Sequence, residues 1–238
     1  HAWRVRSRQA GDIDCVVVVS LRSLFSLALL VTLASCASAG DPVVGTGQTA
    51  ESRRLVRIQL DAENPSASQG ILEASGEAQP FPVGFGRLGL ACAGTSFQDG
   101  LTPLGRFRVN AILSESDFAM EPDLVEQSGK SEAELKTSLF RNMSAIDFKG
   151  DGQSGEYGIG YISLAPVPAS EQPFQFNTYN GKFRWYSFAI HGTNDERRVG
   201  QSVTGGCINV NQNTMKTLLG TLQLGDEVVI SSDSPCQP

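Results

Sequence analysis

Histidine is almost missing from this sequence: 238 residues contain two, and since one of them is His1, His191 is the sole imidazole in the body of the chain. With that single imidazole, and neither C-x-x-C nor H-E-x-x-H, a structural or catalytic zinc site is not expected, nor is any other metal. Cysteine is sparse as well, with five residues (Cys15, Cys36, Cys92, Cys207 and Cys236), too few for a disulfide-stapled miniature scaffold of this length. Positive charge is in deficit. Lys and Arg total 19 against 25 Asp and Glu, a net of −6, which is the wrong sign for neutralising phosphates, and nucleic acid is not an expected partner. No S-x-x-K occurs, which excludes the serine machinery built on that motif. Charged residues make up only 18%, with 40% apolar residues, 25 Gly and 11 Pro, so the chain is neither a coiled coil nor a disordered polymer but a globular protein rich in strands and turns.

The one long apolar run, Val16 to Ala34, is broken by Arg22. It reads as a signal peptide: Arg4, Arg6, Arg8 and Arg22 precede a short apolar stretch, Leu24 to Leu33, and small residues follow. A transmembrane helix is the competing reading by length, but too little remains beyond Arg22 to span comfortably. Leu33-Ala34-Ser35-Cys36 resembles a bacterial lipobox, with cleavage before Cys36 and lipid on that cysteine; cleavage after Ala37-Ser38-Ala39 would instead release a soluble exported protein. The expected organisation is a lipoprotein-type signal peptide over residues 1–36, whose first 15 or so stand open as upstream sequence because residue 1 is not Met. A flexible tether over 37–52, one domain over 53–232 and a tail over 233–238 complete it.

Within the domain, Leu55 to Leu60 alternates with period two, and short strands are expected at Gly105–Ile112, Gly158–Leu164, Trp185–His191 and Glu227–Ser231, separated by Gly, Pro, Asn and Asp. Ser131-Glu132-Ala133-Glu134 is a capping box and predicts a short helix to about Met143; Met215, Leu218, Leu219 and Leu222 predict a second over Asn213–Leu222.

Two motifs lack their context. Gly84-Phe85-Gly86-Arg87-Leu88-Gly89 matches G-x-G-x-x-G but follows Pro80 and Pro82 and opens no periodic helix, so it is no dinucleotide loop. Asp147, Asp151 and Glu156 depart from calcium-loop spacing.

The informative stretch is Ile190 to Val210, IHGTNDERRVGQSVTGGCINV. It places the sole internal histidine sixteen residues before a cysteine that follows a Gly-Gly pair. A thiol becomes a nucleophile near neutral pH when an imidazole takes its proton, and successive amides at Gly206 and Cys207 can receive an oxyanion. From residue types alone, a buried cysteine and a hydrogen-bonded structural histidine stand as the other reading.

The stretch resembles the catalytic signature of L,D-transpeptidases of the YkuD type, the cysteine enzymes that cross-link bacterial peptidoglycan, at His191-Gly192, Thr204, Gly205, Gly206-Cys207, Ile208 and Asn209. Thr102 to Phe107, Gly160 to Leu164 and Leu224 to Ile230 resemble further segments of that family, so the likeness extends over about residues 53 to 232. The resemblance implies a mainly β fold: a β-sandwich catalytic domain with one or two short helices and two insertions, Ala111–Gly150 and Pro166–Arg184, which either overhang the cleft or merely elaborate the surface. It implies Cys207 as nucleophile, His191 as base, Gly206 as an oxyanion donor, and Gly192, Thr204, Gly205, Asn209 and Tyr161 as substrate-binding residues, with no cofactor. Asn209 either orients a substrate carboxylate or holds the loop. Gly205 stands where many members carry a second His, and Asn209 where one branch carries Arg. The implied partners are peptidoglycan stem peptides and carbapenem-type inhibitors, besides a membrane through a lipid anchor at Cys36. The implied reaction is cross-linking with release of D-alanine; an L,D-carboxypeptidase and a non-catalytic peptidoglycan-binding lipoprotein are the alternatives. In an oxidising compartment Cys92 and Cys236 are candidates for a disulfide that would spare Cys207, with free buried thiols the other possibility. Arg197 and Arg198 stand either as partners for substrate carboxylates or as a solvated pair.

Overall fold

A computed structural model describes residues 54–94, 98–142, 145–147, 155–167, 178–179, 182–183 and 188–238. The expected signal peptide and tether, with Cys36, and also Met143, Asp151 and most of the expected second insertion lie outside the described residues. Among the described residues no helix is long and apolar enough to cross a membrane.

The alternation that begins at Leu55 becomes β1 (Leu55–Leu60), followed by the hairpin β2 (Gln69–Ala74) and β3 (Glu77–Pro82). Short pieces come next: β4 (Phe85–Gly86), β5 (Gly89–Ala91) and β6 (Leu101–Pro103). The long β7 (Gly105–Ser114) turns back into β8 (Phe118–Met120), and helices α1 (Pro122–Ser128) and α2 (Glu132–Asn142) follow. Then come β9 (Gly160–Pro166), the small pair β10 (Thr178–Tyr179) and β11 (Lys182–Phe183), β12 (Ala189–His191), β13 (Ser202–Thr204), β14 (Ile208–Asn209), α3 (Gln212–Thr221) and β15 (Glu227–Ser232).

The main sheet runs β14-β12-β9-β7-β15-β1-β2-β3, with β8 paired to β7. Its two ends meet: Gly84, just past β3, exchanges backbone hydrogen bonds with Asn209 of β14, Gly84 N to Asn209 O at 2.9 Å and Asn209 N to Gly84 O at 3.0 Å. The sheet therefore curls around a single core in which Ile58, Leu72, Phe81, Phe107, Ile162 and Ile190 from strands across its width pack together. This is the mainly β fold that the resemblance implies.

Two details differ from the sequence expectation. Ala111–Ser114, assigned above to the first insertion, completes β7 and pairs with β9: beyond a register shift after Val109, Ile112 faces the main core while Ala111 and Leu113 are buried on the opposite face. A third α-helix, α1, was not anticipated; Pro122 opens its first turn and Gly129, at φ +66°, ends it in the left-handed conformation. Its seven residues bury only Leu124, too little for a periodic signal. The capping box is present as read: Glu134 N donates to Ser131 Oγ at 3.3 Å and Ser131 N to Glu134 Oε2 at 2.8 Å.

Side chains of β7, β9 and β12 alternate between two faces. Ile112, Ile162, Leu164 and Ile190 enter the main core, whereas Ala111, Leu113, Tyr161 and Ala189 form a second cluster on the other face. Met120, Leu124, Leu135 and Ile146, from β8 to the segment after α2, cover that second face. The first insertion is thus the roof over the face on which the cysteine lies.

Candidate active site

β12 and β14 run parallel with Ile190 opposite Ile208 and His191 opposite Asn209. One step back along this register Cys207 lies beside Ala189, and on the antiparallel side His191 is opposite Tyr161. Paired residues share a face, so Cys207, His191 and Tyr161 come to one face of adjacent strands, diagonally related. Sixteen residues of separation are bridged by a parallel connection whose ends the sheet holds rigidly.

The histidine is buried against aromatic rings: Tyr157 lies 4.4 Å from the imidazole centroid to centroid, and Tyr161 is stacked at 6.2 Å. Its Nδ1 is 2.6 Å from the carbonyl oxygen of Gly192, and since a carbonyl only accepts, Nδ1 carries the proton. Nε2 then holds the lone pair of the neutral ring and is the atom available as a base. Burial pushes the imidazole pKa down to about 4; the Gly192 carbonyl resists this and the positive charge of Arg198 adds to it. The ring is therefore neutral at physiological pH.

Cys207 is half-buried and is the only free cysteine among the described residues. Burial raises its thiol to about 11, against hydrogen bonds from the Ala189 backbone and the Tyr161 side chain, while the negative charges of Asp99 and Glu156 raise it further. The resting site thus holds a neutral thiol and a neutral imidazole rather than an ion pair. The chemistry open to it is proton transfer from sulfur concerted with attack, not attack by a preformed thiolate.

The loop before the cysteine is tied internally. Thr204 Oγ1 donates to Cys207 O at 2.6 Å and accepts from Gly206 N at 3.1 Å. The Gly206 amide, expected as an oxyanion donor, is therefore committed to Thr204 here. Gly206 has φ +125°, a conformation that residues with a Cβ rarely adopt, and its carbonyl accepts from Thr102 Oγ1 at 2.7 Å. Gly86 N in turn donates to Thr102 Oγ1 at 2.8 Å, and Gly100 N donates to Gly205 O at 2.7 Å. Gly100 and Thr102, with Gly86 behind them, thereby hold the cysteine loop from outside.

The other expected substrate-binding residues separate by exposure. Gly205 is exposed at the rim, beside the Arg87–Asp99 ion pair: a Cβ there would stand 3.1 Å from Asp99 Oδ1. Tyr161 is fully buried and addresses the sulfur rather than open space. Thr204 is buried under the loop that it closes, and Gly192 contributes its carbonyl to His191. Asn209 is 1% exposed, with neither amide atom partnered by a protein group. Its Oδ1 lies where a Cβ on Gly84 would fall, near the carbonyls of Arg198 and Gln201. Arg197 and Arg198 also part company, Arg197 engaging Asp195 through Nε and Nη2 at 2.8 Å each, Arg198 facing Glu156.

Sequence reasoning missed Tyr157 and assigned no role to Thr102. Thr102 stood inside a segment already marked; Tyr157 had no signal beyond an aromatic three residues ahead of a strand. Cys92 and Cys236 form a disulfide with Cα atoms 5.0 Å apart, one of the two states left open above. Among the described residues no group of His, Cys, Asp and Glu is arranged to hold a metal ion.

Residues 62–230 match the family YkuD, L,D-transpeptidase catalytic domain. No curated protein matches the chain. Among solved structures it is similar to an L,D-transpeptidase from Mycobacterium smegmatis (15% identity over 76% of this chain and 59% of that one, TM-score 0.36). It is also similar to one from Xylanimonas cellulosilytica (15%, 76% and 62%, 0.36) and to L,D-transpeptidase 3 from Mycobacterium tuberculosis in complex with a faropenem-derived adduct (10%, 75% and 60%, 0.38). The chain spans about three fifths of the length of these proteins.

Proposed function

Because the chain belongs to the YkuD family of L,D-transpeptidase catalytic domains, we propose that it cross-links peptidoglycan stem peptides through a thioester on Cys207. The observation that carries this reading is the fixed tautomer of His191: Gly192 holds Nδ1–H and leaves Nε2 as a base on the face that carries the sulfur. As Cys207 Sγ attacks the carbonyl preceding the terminal D-alanine, its proton passes to Nε2. The C–S bond forms, and the oxyanion takes the Cys207 amide and, as negative charge outbids Thr204 Oγ1, the Gly206 amide. His191 returns the proton to the departing D-alanine nitrogen as the C–N bond breaks. A side-chain amine of a second stem then attacks the thioester, C–N forms, C–S breaks, and the thiol is restored. Water in place of the amine gives an L,D-carboxypeptidase.

We further propose that the protein acts outside the cytoplasm, exported by residues 1–36 and anchored by lipid at Cys36. The Cys92–Cys236 disulfide supports an oxidising compartment. Carbapenem-type β-lactams would acylate the same sulfur, as a faropenem-derived adduct is carried by one of the similar proteins.

The test is incubation of the full chain and Cys207→Ala with a purified tetrapeptide-stem muropeptide, followed by mass spectrometry. D-alanine release with dimers, absent from the variant, is the expected result. Release with tripeptide alone would make the protein a carboxypeptidase, and no release would leave a binding module.

A further inference from the structure

Arg54, Arg57, Arg87, Arg106, Arg108 and Arg197 each hold a carboxylate oxygen at 2.6 to 2.9 Å. Arg198 does not: its nearest carboxylate oxygen, Glu156 Oε2, is 3.7 Å from Nη1, beyond hydrogen-bonding distance. Yet the Arg198 side chain is only 30% exposed, whereas its neighbour Arg197, with its donors occupied by Asp195, is 90% exposed. A largely buried guanidinium whose planar fork of donors is unspent is matched to a carboxylate that the protein itself does not supply.

The position of this loose pair gives the carboxylate its origin. Glu156 directly precedes Tyr157, whose ring packs on the imidazole at 4.4 Å, and Gly158 lies against Thr193: a Cβ on Gly158 would be 2.7 Å from Thr193 N. Arg198 ends the short turn Glu196–Arg198 in the loop between His191 and Cys207, and its charge is felt at His191 while that of Glu156 is felt at Cys207. The pair therefore borders the reacting atoms from the histidine side. On the Gly205 side the corresponding pair, Arg87–Asp99, is closed at 2.6 Å.

A cation and an anion side by side, not bonded to each other and next to the base, are the complement of an amino group and a carboxylate on one carbon. Resting on the transpeptidase reading, we propose that Arg198 and Glu156 form the acceptor subsite and select a diamino acid side chain with a zwitterionic end. Arg198 takes the carboxylate, and Glu156 holds the ammonium beside it until it gives up a proton. With that proton passed to solvent, the amine nitrogen attacks the thioester carbonyl and gives a second proton to His191 Nε2; the C–N bond forms as C–S breaks, and His191 hands that proton to the departing sulfur. Arg198 and Glu156 are specificity-determining residues in this scheme: they govern how the thioester divides between amine and water.

The test uses the full chain and a tetrapeptide-stem muropeptide whose diamino acid carries a free carboxylate beside its side-chain amine, reading the ratio of dimer to tripeptide product. In Arg198→Gln the ratio is expected to fall by about tenfold or more, the worth of one hydrogen bond to a charged group, with partial recovery in Arg198→Lys and no change in Arg197→Gln. The unaltered protein gives the same reading without a variant. Given the muropeptide with that carboxylate amidated, it should shift toward tripeptide by a comparable factor. An unchanged ratio in Arg198→Gln, or equal use of the acid and the amide by the unaltered protein, overturns the proposal while D-alanine release leaves the transpeptidase reading intact. Absence of D-alanine release overturns that reading instead, and the subsite with it.

Discussion

At the scale of single residues, the site is defined by two groups that burial holds neutral. His191 has a folded pKa near 4 against an unfolded value near 6.5, so between these values the unfolded chain binds the extra proton. Stability is therefore complete above about pH 6.5 and falls as the pH drops toward 4, by roughly 3 kcal/mol in all. Urea denaturation at pH 7 and pH 4 should show this loss, and His191→Gln should remove most of the difference; an equal loss in the variant would mean that other groups drive it. For Cys207, with its thiol raised to about 11, alkylation by iodoacetamide should accelerate about tenfold per pH unit from 7 to 10 without levelling. A plateau from about pH 7 would show an ion pair instead. Thr204→Val should cost about 1–3 kcal/mol, because it leaves the buried Gly206 amide and the Cys207 carbonyl without their shared partner. His191 and Cys207 were legible in the sequence, since a sole internal imidazole and a Gly-Gly-Cys leave few other choices. What the neighbours do was not. Asn209 and Tyr161 are on the expected strands, but a one-dimensional pattern does not say that both are buried.

At the scale of elements, the decisive device is the parallel pairing of β12 with β14, which brings two distant residues to one face with no α-helix between them. The cysteine loop at its end is restrained by Gly100 and Thr102, and β5, which pairs with the strand carrying Thr102, is held by the C-terminal segment. Gln237 N donates to Leu90 O at 2.8 Å, Cys92 N donates to Gln237 O at 2.8 Å, and the disulfide closes a loop of sequence separation 144. The double variant Cys92→Ser, Cys236→Ser should lose about 2–5 kcal/mol of stability, checked by denaturant titration; an unchanged midpoint would place the stabilisation elsewhere. Strand positions were readable wherever alternation was clear, and the capped helix wherever Ser131 and Glu134 announced it. The helix α1 and the true end of β7 were not, because seven residues with one buried side chain carry no period and because an inserted segment has no sequence mark where the strand stops.

At the scale of the molecule, one sheet curls to give two working faces. The inner face holds the main core, and the outer face of its β7-β9-β12 region carries the site under a roof made of β8, α1, α2 and the segment after them. This cover adds to the burial that moves the pKa values of His191 and Cys207. The claim on which everything rests is that the sulfur of Cys207 becomes acylated by attack aided by His191. Its most direct test is the intact mass of the full chain after exposure to a carbapenem such as imipenem, with peptide mapping, beside Cys207→Ala and His191→Gln. One covalent adduct mapped to Cys207, absent from the first variant and formed far more slowly in the second, is the predicted result; an unmodified mass, or an adduct on any other residue, would contradict it.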